Sequence, residues 1–208
     1  MSSPLKGPDG FRLIPGYLTR AEQEALLRAV EAAIAAAPLY HAQMPKSGKP
    51  MSVAMTNAGA LGWYTDKTGG YHYEPRHPQT GAVWPPIPDL ALKAWAALAD
   101  YSAPPEACLV NYYDADARMG LHRDFDEQDF AAPVVSLSLG DSALFRLGGP
   151  ERNSPTRSFI LKSGDALVLG GASRLFYHGV DRIRPGTSTL LPQGGRFNLT
   201  LRRVTKAP

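Results

Sequence analysis

The stretch VVSLSLGDSALFRL, Val134 to Leu147, decides the fold class. Two runs rich in apolar and β-branched residues, Val134–Leu139 and Ala143–Leu147, stand on either side of Gly140-Asp141-Ser142, whose residue types favour a turn. Each run has the length of a strand and is too short for a typical helix. Working outward, runs of the same kind recur at Cys108–Tyr113, Ser158–Lys162, Ala166–Leu169 and Phe197–Arg203. Many short strands separated by turn residues predict a sandwich or barrel.

Upstream the pattern is helical. Thr19-Arg20-Ala21-Glu22 has the form of a capping box, in which threonine and glutamate each satisfy an amide left free at a helix start. Leu26, Leu27, Val30 and Ile34 then share one face as far as Ala37, and Pro38 ends the helix. A second helix is predicted from Pro88-Asp89 through Leu92, Trp95 and Ala99. Between them, about residues 40–88, periodicity disappears and Gly, Pro, Tyr and Trp accumulate, so this segment is expected to be a long loop with a functional role. Helices first and strands afterwards, without βαβ alternation, predict an α+β fold: a jelly-roll core, or double-stranded β-helix, over about residues 107–203, with the N-terminal helices packed on one side. The whole of 1–208 reads as a single domain.

A chain of 208 residues with 44% apolar residues can bury a substantial core. The formal charge of +3 suits a polyanionic partner with a small footprint. The lone cysteine, Cys108, cannot form an internal disulfide or a thiolate cluster, so any metal must rely on histidine and carboxylate. Met1 to Gly10 lacks the apolar run of a secretory signal and no later stretch could span a bilayer, so a cytoplasmic chain without membrane attachment is expected.

In His122-Arg123-Asp124 an extended backbone would turn imidazole and carboxylate to the same face. Such a triplet arises readily by chance, and a solvated strand face is the plain alternative. His178, read as following an apolar strand over Arg174–Tyr177, adds a third ligand type. Two histidines and one carboxylate make the facial triad of non-haem Fe(II) oxygenases, which leaves adjacent positions open for co-substrate and oxygen. In the last strand Arg196, Asn198, Thr200 and Arg202 alternate with Phe197, Leu199 and Leu201. That polar row is either a solvent face or a site for a dicarboxylate, since guanidinium pairs its N–H groups with carboxylate oxygens. Asn111 and Tyr113 share a face of an earlier strand.

Taken together, Asn111-Tyr112-Tyr113, His122-Arg123-Asp124, His178 and Arg196-Phe197-Asn198-Leu199-Thr200-Leu201-Arg202 resemble the AlkB family in order and spacing, a likeness running from about Met51 to Arg202. The resemblance implies Fe(II) held by His122, Asp124 and His178. It implies 2-oxoglutarate bound by Asn111, Tyr113, Arg196, Asn198 and Arg202, with Arg202 on the distal carboxylate and O2 as second co-substrate. It further implies oxidative removal of alkyl groups from bases of the 1-methyladenine and 3-methylcytosine type, releasing succinate, carbon dioxide and formaldehyde. The substrate would be single-stranded DNA or a base flipped from a duplex, with RNA as a second candidate, and no obligate protein partner for a monomeric enzyme.

For the base itself the resemblance points to Trp63 as a stacking residue, Tyr71 beside it, Asp126 against an exocyclic amine or the lesion's charge, and Arg152 and Met51 nearby. Asp126 would share the face of Asp124 if the strand continues. The bland alternatives are loop aromatics packed on the core and solvated charges. The chain departs from bacterial members of the family by one added residue near Gly69-Gly70 and by Gly194-Gly195 before Arg196. Two other readings fit the sequence: a hydroxylase of proteins or small molecules using the same cofactors, and a non-catalytic nucleic-acid binder.

Overall fold

The computed structural model describes residues 5–207; Met1 to Pro4, the start of the segment read as lacking a secretory signal, lie outside the described residues. The elements in chain order are β1 (Leu5–Lys6), β2 (Phe11–Ile14), α1 (Arg20–Ala36), β3 (Ala54–Gly59), β4 (Gly62–Asp66), β5 (Gly70–Glu74), α2 (Asp89–Leu98), β6 (Ala107–Tyr113), β7 (Met119–His122), β8 (Val134–Gly140), β9 (Ser142–Leu147), β10 (Arg157–Leu161), β11 (Ala166–Leu169), β12 (His178–Arg184) and β13 (Arg196–Arg202). Among the described residues no helix is long and apolar enough to cross a membrane.

The two runs of the deciding stretch are strands, but they lie in different sheets. β8 sits inside a seven-stranded sheet ordered β1-β2-β11-β8-β13-β6-β3, whereas β9 belongs to a four-stranded sheet ordered β10-β9-β12-β7. The chain steps between sheets at Gly140, and the strands of both sheets pair antiparallel. This is the expected jelly-roll sandwich. β8 is buried along its whole length because both faces are covered. Val135, Leu137 and Leu139 join Phe197, Leu199 and Leu201 of β13 under the helices, where Leu26, Val30, Ala94 and Trp95 complete one core. A second core of Phe11, Leu13, Phe145, Leu147, Leu161 and Leu167 fills part of the space between the sheets.

The capping box at Thr19 forms: its hydroxyl accepts from the Glu22 amide while the Glu22 carboxylate accepts from the Thr19 amide at 2.8 Å. For α2 the predicted face is corrected. Ala91, Ala94, Trp95 and Leu98 are buried and Leu92 is exposed, because the helix meets the sheet through small residues that allow close approach beside the Trp95 anchor.

The segment over 40–88 is also corrected, since it carries three strands. β3 extends the large sheet beyond β6, with Met55 opposite Asn111. β4 and β5 form a separate hairpin closed by Lys67-Thr68-Gly69, with Gly70 at φ +68° absorbing the left-handed conformation that such a three-residue turn needs. Gly69 and Gly70, where the sequence reading expects an added residue, lie at this turn. Likewise Gly194 and Gly195 form a turn with φ +76° and +88°, and a Cβ on Gly195 would lie 2.7 Å from the Tyr112 hydroxyl.

Candidate active site

Two strand ends create the centre. β7 stops at His122 and β12 starts at His178, and the register of the small sheet sets these two residues opposite each other. Their rings are 4.6 Å apart between centroids. The expected strand over Arg174–Tyr177 is instead a 3-10 turn, Gly171–Leu175, so His178 opens its strand rather than following one. Nor does β7 continue through Asp126. Asp124 arrives beyond the strand end, held by Arg174, whose Nη1 donates to the Asp124 carbonyl at 2.7 Å.

One ligand atom from each of His122, Asp124 and His178 falls within 4.8 Å of the others. Asp124 Oδ1 is 3.7 Å from His122 Nε2, and Asp124 Oδ2 is 3.9 Å from His178 Nε2. Each imidazole places Nδ1 2.9 Å from a backbone carbonyl, His122 on Gly120 and His178 on Phe176. Nδ1–H donation there leaves Nε2 of both rings as a lone-pair donor aimed at the common point. Burial, reinforced by neighbouring His122, pushes the His178 imidazole down to about 4, so it stays neutral. Burial alone would raise Asp124, but Arg202 first and then the two imidazoles hold its carboxyl well below the ordinary range. Asp124 and His178 are therefore deprotonated at neutral pH, as binding to a divalent cation requires.

The cavity behind these groups has a volume of about 440 Å³ and its floor is the polar row of β13. The alternation read in the sequence is real, and the polar side faces the interior between the sheets instead of solvent. Arg196 stands opposite Tyr113 and Asn198 opposite Asn111. The two arginines of the row stand in different surroundings. Arg202 Nη2 lies 2.9 Å from Asp124 Oδ2, so Arg202 belongs to the triad end of the cavity, and Arg196 lies at the far end of the row. Arg196 is almost fully buried, donates to Ser138 Oγ at 2.7 Å and to the Asp141 carbonyl at 3.2 Å, and has no carboxylate partner among the described residues. Burial lowers its guanidinium to about 10 and raises the facing Tyr113 phenol to about 12. Asn198 is already engaged, donating to Ser136 Oγ at 2.6 Å and accepting from Thr200 at 3.0 Å.

Two buried polar atoms in this cavity have neither a hydrogen-bond nor an ion-pair partner among the described residues, Asn111 Oδ1 and Arg196 Nε, while Asp124 Oδ2 and Arg202 Nε are met through ion pairs alone. Buried polar groups are nearly always satisfied, so atoms left over around one cavity mark where a ligand supplies the partners. A three-ligand metal point, an unpaired buried guanidinium and free amide capacity between them fit a chelating dicarboxylate on a metal ion.

At the mouth, Trp63 and Tyr71 stack with centroids 5.7 Å apart and planes inclined by 24°. Asp126 accepts from the Trp63 indole N–H at 2.8 Å, so the two residues meet although the strand stops before Asp126. Burial raises the Asp126 carboxyl above its ordinary value. Met51 and Arg152 line the same cavity. All the residues singled out in the sequence are thus brought together around one space.

Sequence reading misses four residues that hold this arrangement. Glu127 is buried and ties together Arg174 Nη2 at 2.9 Å, Arg202 Nε at 3.4 Å and the hydroxyl of Tyr73 in the hairpin. Arg174 itself is hidden inside an apolar run, where an isolated cation is the available signal of a buried ion pair. Asn57 grips the backbone of Trp63 by accepting from its N–H and donating to its carbonyl, both at 3.0 Å.

Comparison with known proteins agrees with this geometry. The family model of the 2OG-Fe(II) oxygenase superfamily matches residues 10–202. The chain is 52% identical over 207 residues to the alpha-ketoglutarate-dependent dioxygenase AlkB homolog of Caulobacter vibrioides, covering 100% of this chain and 93% of that protein. It is 42% identical over 187 residues to alpha-ketoglutarate-dependent dioxygenase AlkB of Escherichia coli K12, covering 88% and 85%. Among solved structures, OsALKBH1 superposes with a TM-score of 0.78 at 30% identity, covering 97% of this chain and 100% of that one. Fold, donor set and relatives agree that this chain belongs to the AlkB family of Fe(II)- and 2-oxoglutarate-dependent dioxygenases.

Proposed function

We propose that the protein removes alkyl groups from N-alkylated bases of the 1-methyladenine and 3-methylcytosine type in DNA, with RNA as a second substrate, acting as a cytoplasmic monomer. The observation that carries this reading is the aromatic mouth: the Trp63–Tyr71 stack, braced by the Asp126 carboxylate, opens on the same cavity as the triad. A base alkylated at these positions is cationic, and π faces beside a carboxylate are the surroundings that bind a planar cation. The bacterial relatives are named as dioxygenases, and human ALKBH1, 34% identical over 123 residues, is named a nucleic acid dioxygenase.

In this reading the whole chain is one domain. About 40–88 recognises substrate and about 107–203 carries the chemistry. His122, Asp124 and His178 would hold Fe(II) through Nε2, a carboxylate oxygen and Nε2. Arg202, beside Asp124, would steady the metal-bound end of 2-oxoglutarate, with the Asn111 side-chain amide donating an N–H to the same end. Arg196 and Tyr113 would take the distal carboxylate, and Asn198 would fix the wall between them. Bound Fe(II) with 2-oxoglutarate supplies oxygen activation: one oxygen atom enters succinate as carbon dioxide leaves, and the other is inserted into a C–H bond of the alkyl group. The hydroxylated N-alkyl carbon then leaves as aldehyde: its C–N electron pair returns to the base nitrogen, which becomes neutral, and the hydroxyl proton is released to solvent.

The chain's own work is positioning. Trp63 and Tyr71 would cover the base, Met51 would close one side, Asp126 would face the positive charge or the exocyclic amine, and Arg152 would lie at the strand's backbone. A base inside a duplex cannot reach a buried metal point, so the substrate is a single strand or an extruded nucleotide. The test is formaldehyde and succinate release from a single-stranded oligonucleotide carrying 1-methyladenine, with Fe(II) and 2-oxoglutarate omitted in turn. Release that needs every component is expected; succinate without formaldehyde would move the substrate to another class.

A further inference from the structure

The residues next to the triad ligands point the other way, to the rim. Arg123 and Phe125 flank Asp124, and Tyr177 precedes His178; all three line the mouth of the cavity. Phe125 is 52% exposed, an unusual place for a phenyl ring beside a charged site. One face of that ring carries the Arg123 guanidinium at 5.3 Å from its centroid. Arg123 also lies 5.6 Å from the Tyr177 ring, and Arg152 approaches that ring at 5.9 Å. The result is a tier of four side chains, Phe125, Arg123, Tyr177 and Arg152, alternating π face and cation. Among the described residues neither Arg123 nor Arg152 makes a salt bridge or side-chain hydrogen bond, so the edges of both guanidinium groups remain open to an anion. Aromatic side chains interleaved with unpaired cations match a single nucleic-acid strand, which alternates stacking surfaces with phosphates.

Resting on the dealkylation reading, we propose that this tier is a platform for the nucleotide beside the one in the cavity: the flanking base stacks on the open face of Phe125, and the adjoining phosphates take the free edges of Arg123 and Arg152. Every base has a π face, so the platform accepts any neighbour and gives no sequence preference at that position. Its effect is to hold the strand while the target nucleotide turns inward.

The test is a two-by-two comparison. Wild-type enzyme and Phe125→Ala are assayed by formaldehyde release on a pentanucleotide with a central 1-methyladenine, with intact neighbours and with an abasic site on each side in turn. For the wild type, removing the stacked neighbour raises KM roughly tenfold, the range of one base–aromatic stack. Phe125→Ala raises KM for the intact strand by a similar factor and is then indifferent to the abasic site, while Phe125→Tyr keeps wild-type behaviour. Arg123→Ala lowers the salt slope of strand binding by about one. Losses from Phe125→Ala and from the abasic site that simply multiply would overturn the platform. A wild-type enzyme that releases no formaldehyde from the intact strand would instead sink the dealkylation reading, and the platform with it.

Discussion

Arg202 and Arg196 lie six positions apart on one strand, yet their surroundings give them different tasks. Arg202 is neutralised within the protein by Asp124 and Glu127, whereas Arg196 is buried against a hydroxyl and carbonyls alone. Arg196→Ala should therefore raise the KM for 2-oxoglutarate by about 10- to 100-fold, the worth of charge-assisted hydrogen bonds, while Fe(II) affinity is kept. Arg202→Ala should weaken both. Steady-state turnover together with anaerobic Fe(II) calorimetry separates the two, and equal effects on 2-oxoglutarate alone would contradict this division of tasks. Glu127 makes a sharper case. Its removal leaves Arg174 buried without a counter-charge, and breaking such a pair costs about 3–5 kcal/mol. Urea denaturation of Glu127→Ala should show that loss, with Fe(II) affinity down about 10- to 100-fold because Asp124 and Arg202 lose their support. The ligand histidines are legible from residue type and order. Glu127 is not, because in the run Asp124 to Asp129 an acid that turns inward looks the same as one that stays in water.

Among the elements, legibility follows the strength of the local pattern. β8, β9, β11 and β13 can be read because alternating or continuous apolar runs have no other stable outcome in a two-layer sandwich. β4 and β5 cannot, because GWYTD and GYHYE mix polar and aromatic residues on both faces of a hairpin that is half in solvent. The strand expected over Arg174–Tyr177 begins only at His178, because those residues read as apolar while the chain turns there to bury Arg174. The hairpin depends on a tertiary device, the grip of Asn57 on Trp63. Asn57→Ala leaves a part-buried backbone N–H without its protein partner, at about 1 kcal/mol. It should raise KM for an alkylated base while uncoupled 2-oxoglutarate turnover continues, and Trp63→Ala should do the same by removing the stack itself. α1 supplies a pH test. Hydrogen bonds from Thr19 hold the Glu22 carboxyl below its ordinary value of 4.5, so the folded-state pKa is depressed. The stabilisation is present above that value and is lost as pH falls through the folded pKa. Thermal melts should show the advantage of wild type over Glu22→Gln shrinking as pH drops below 4.5.

For the whole molecule, the two cores fill with apolar side chains independently of the triad. Removing metal should thus abolish turnover and leave the fold. Metal at a hundredfold excess over its Kd stabilises by about 2.7 kcal/mol, which in a chain of this size moves Tm by about 5–10 °C. Chelation should lower Tm by that amount in calorimetry; a chain that unfolds outright would mean the triad is part of the core. The charge of +3 sets a modest total pull on polyanions, so strand binding should weaken with salt through a few rim cations, not through a broad basic face. The manner in which the hairpin is fastened also bears on how such an enzyme diversifies. Asn57 reads only the N–H and C=O of position 63, groups that every residue except proline offers, so the side chain there can be exchanged without moving the strand that presents it. Position 63 is in effect an interchangeable tool in a fixed holder, and new base preferences can arise at this mouth while the chemistry below is inherited unaltered.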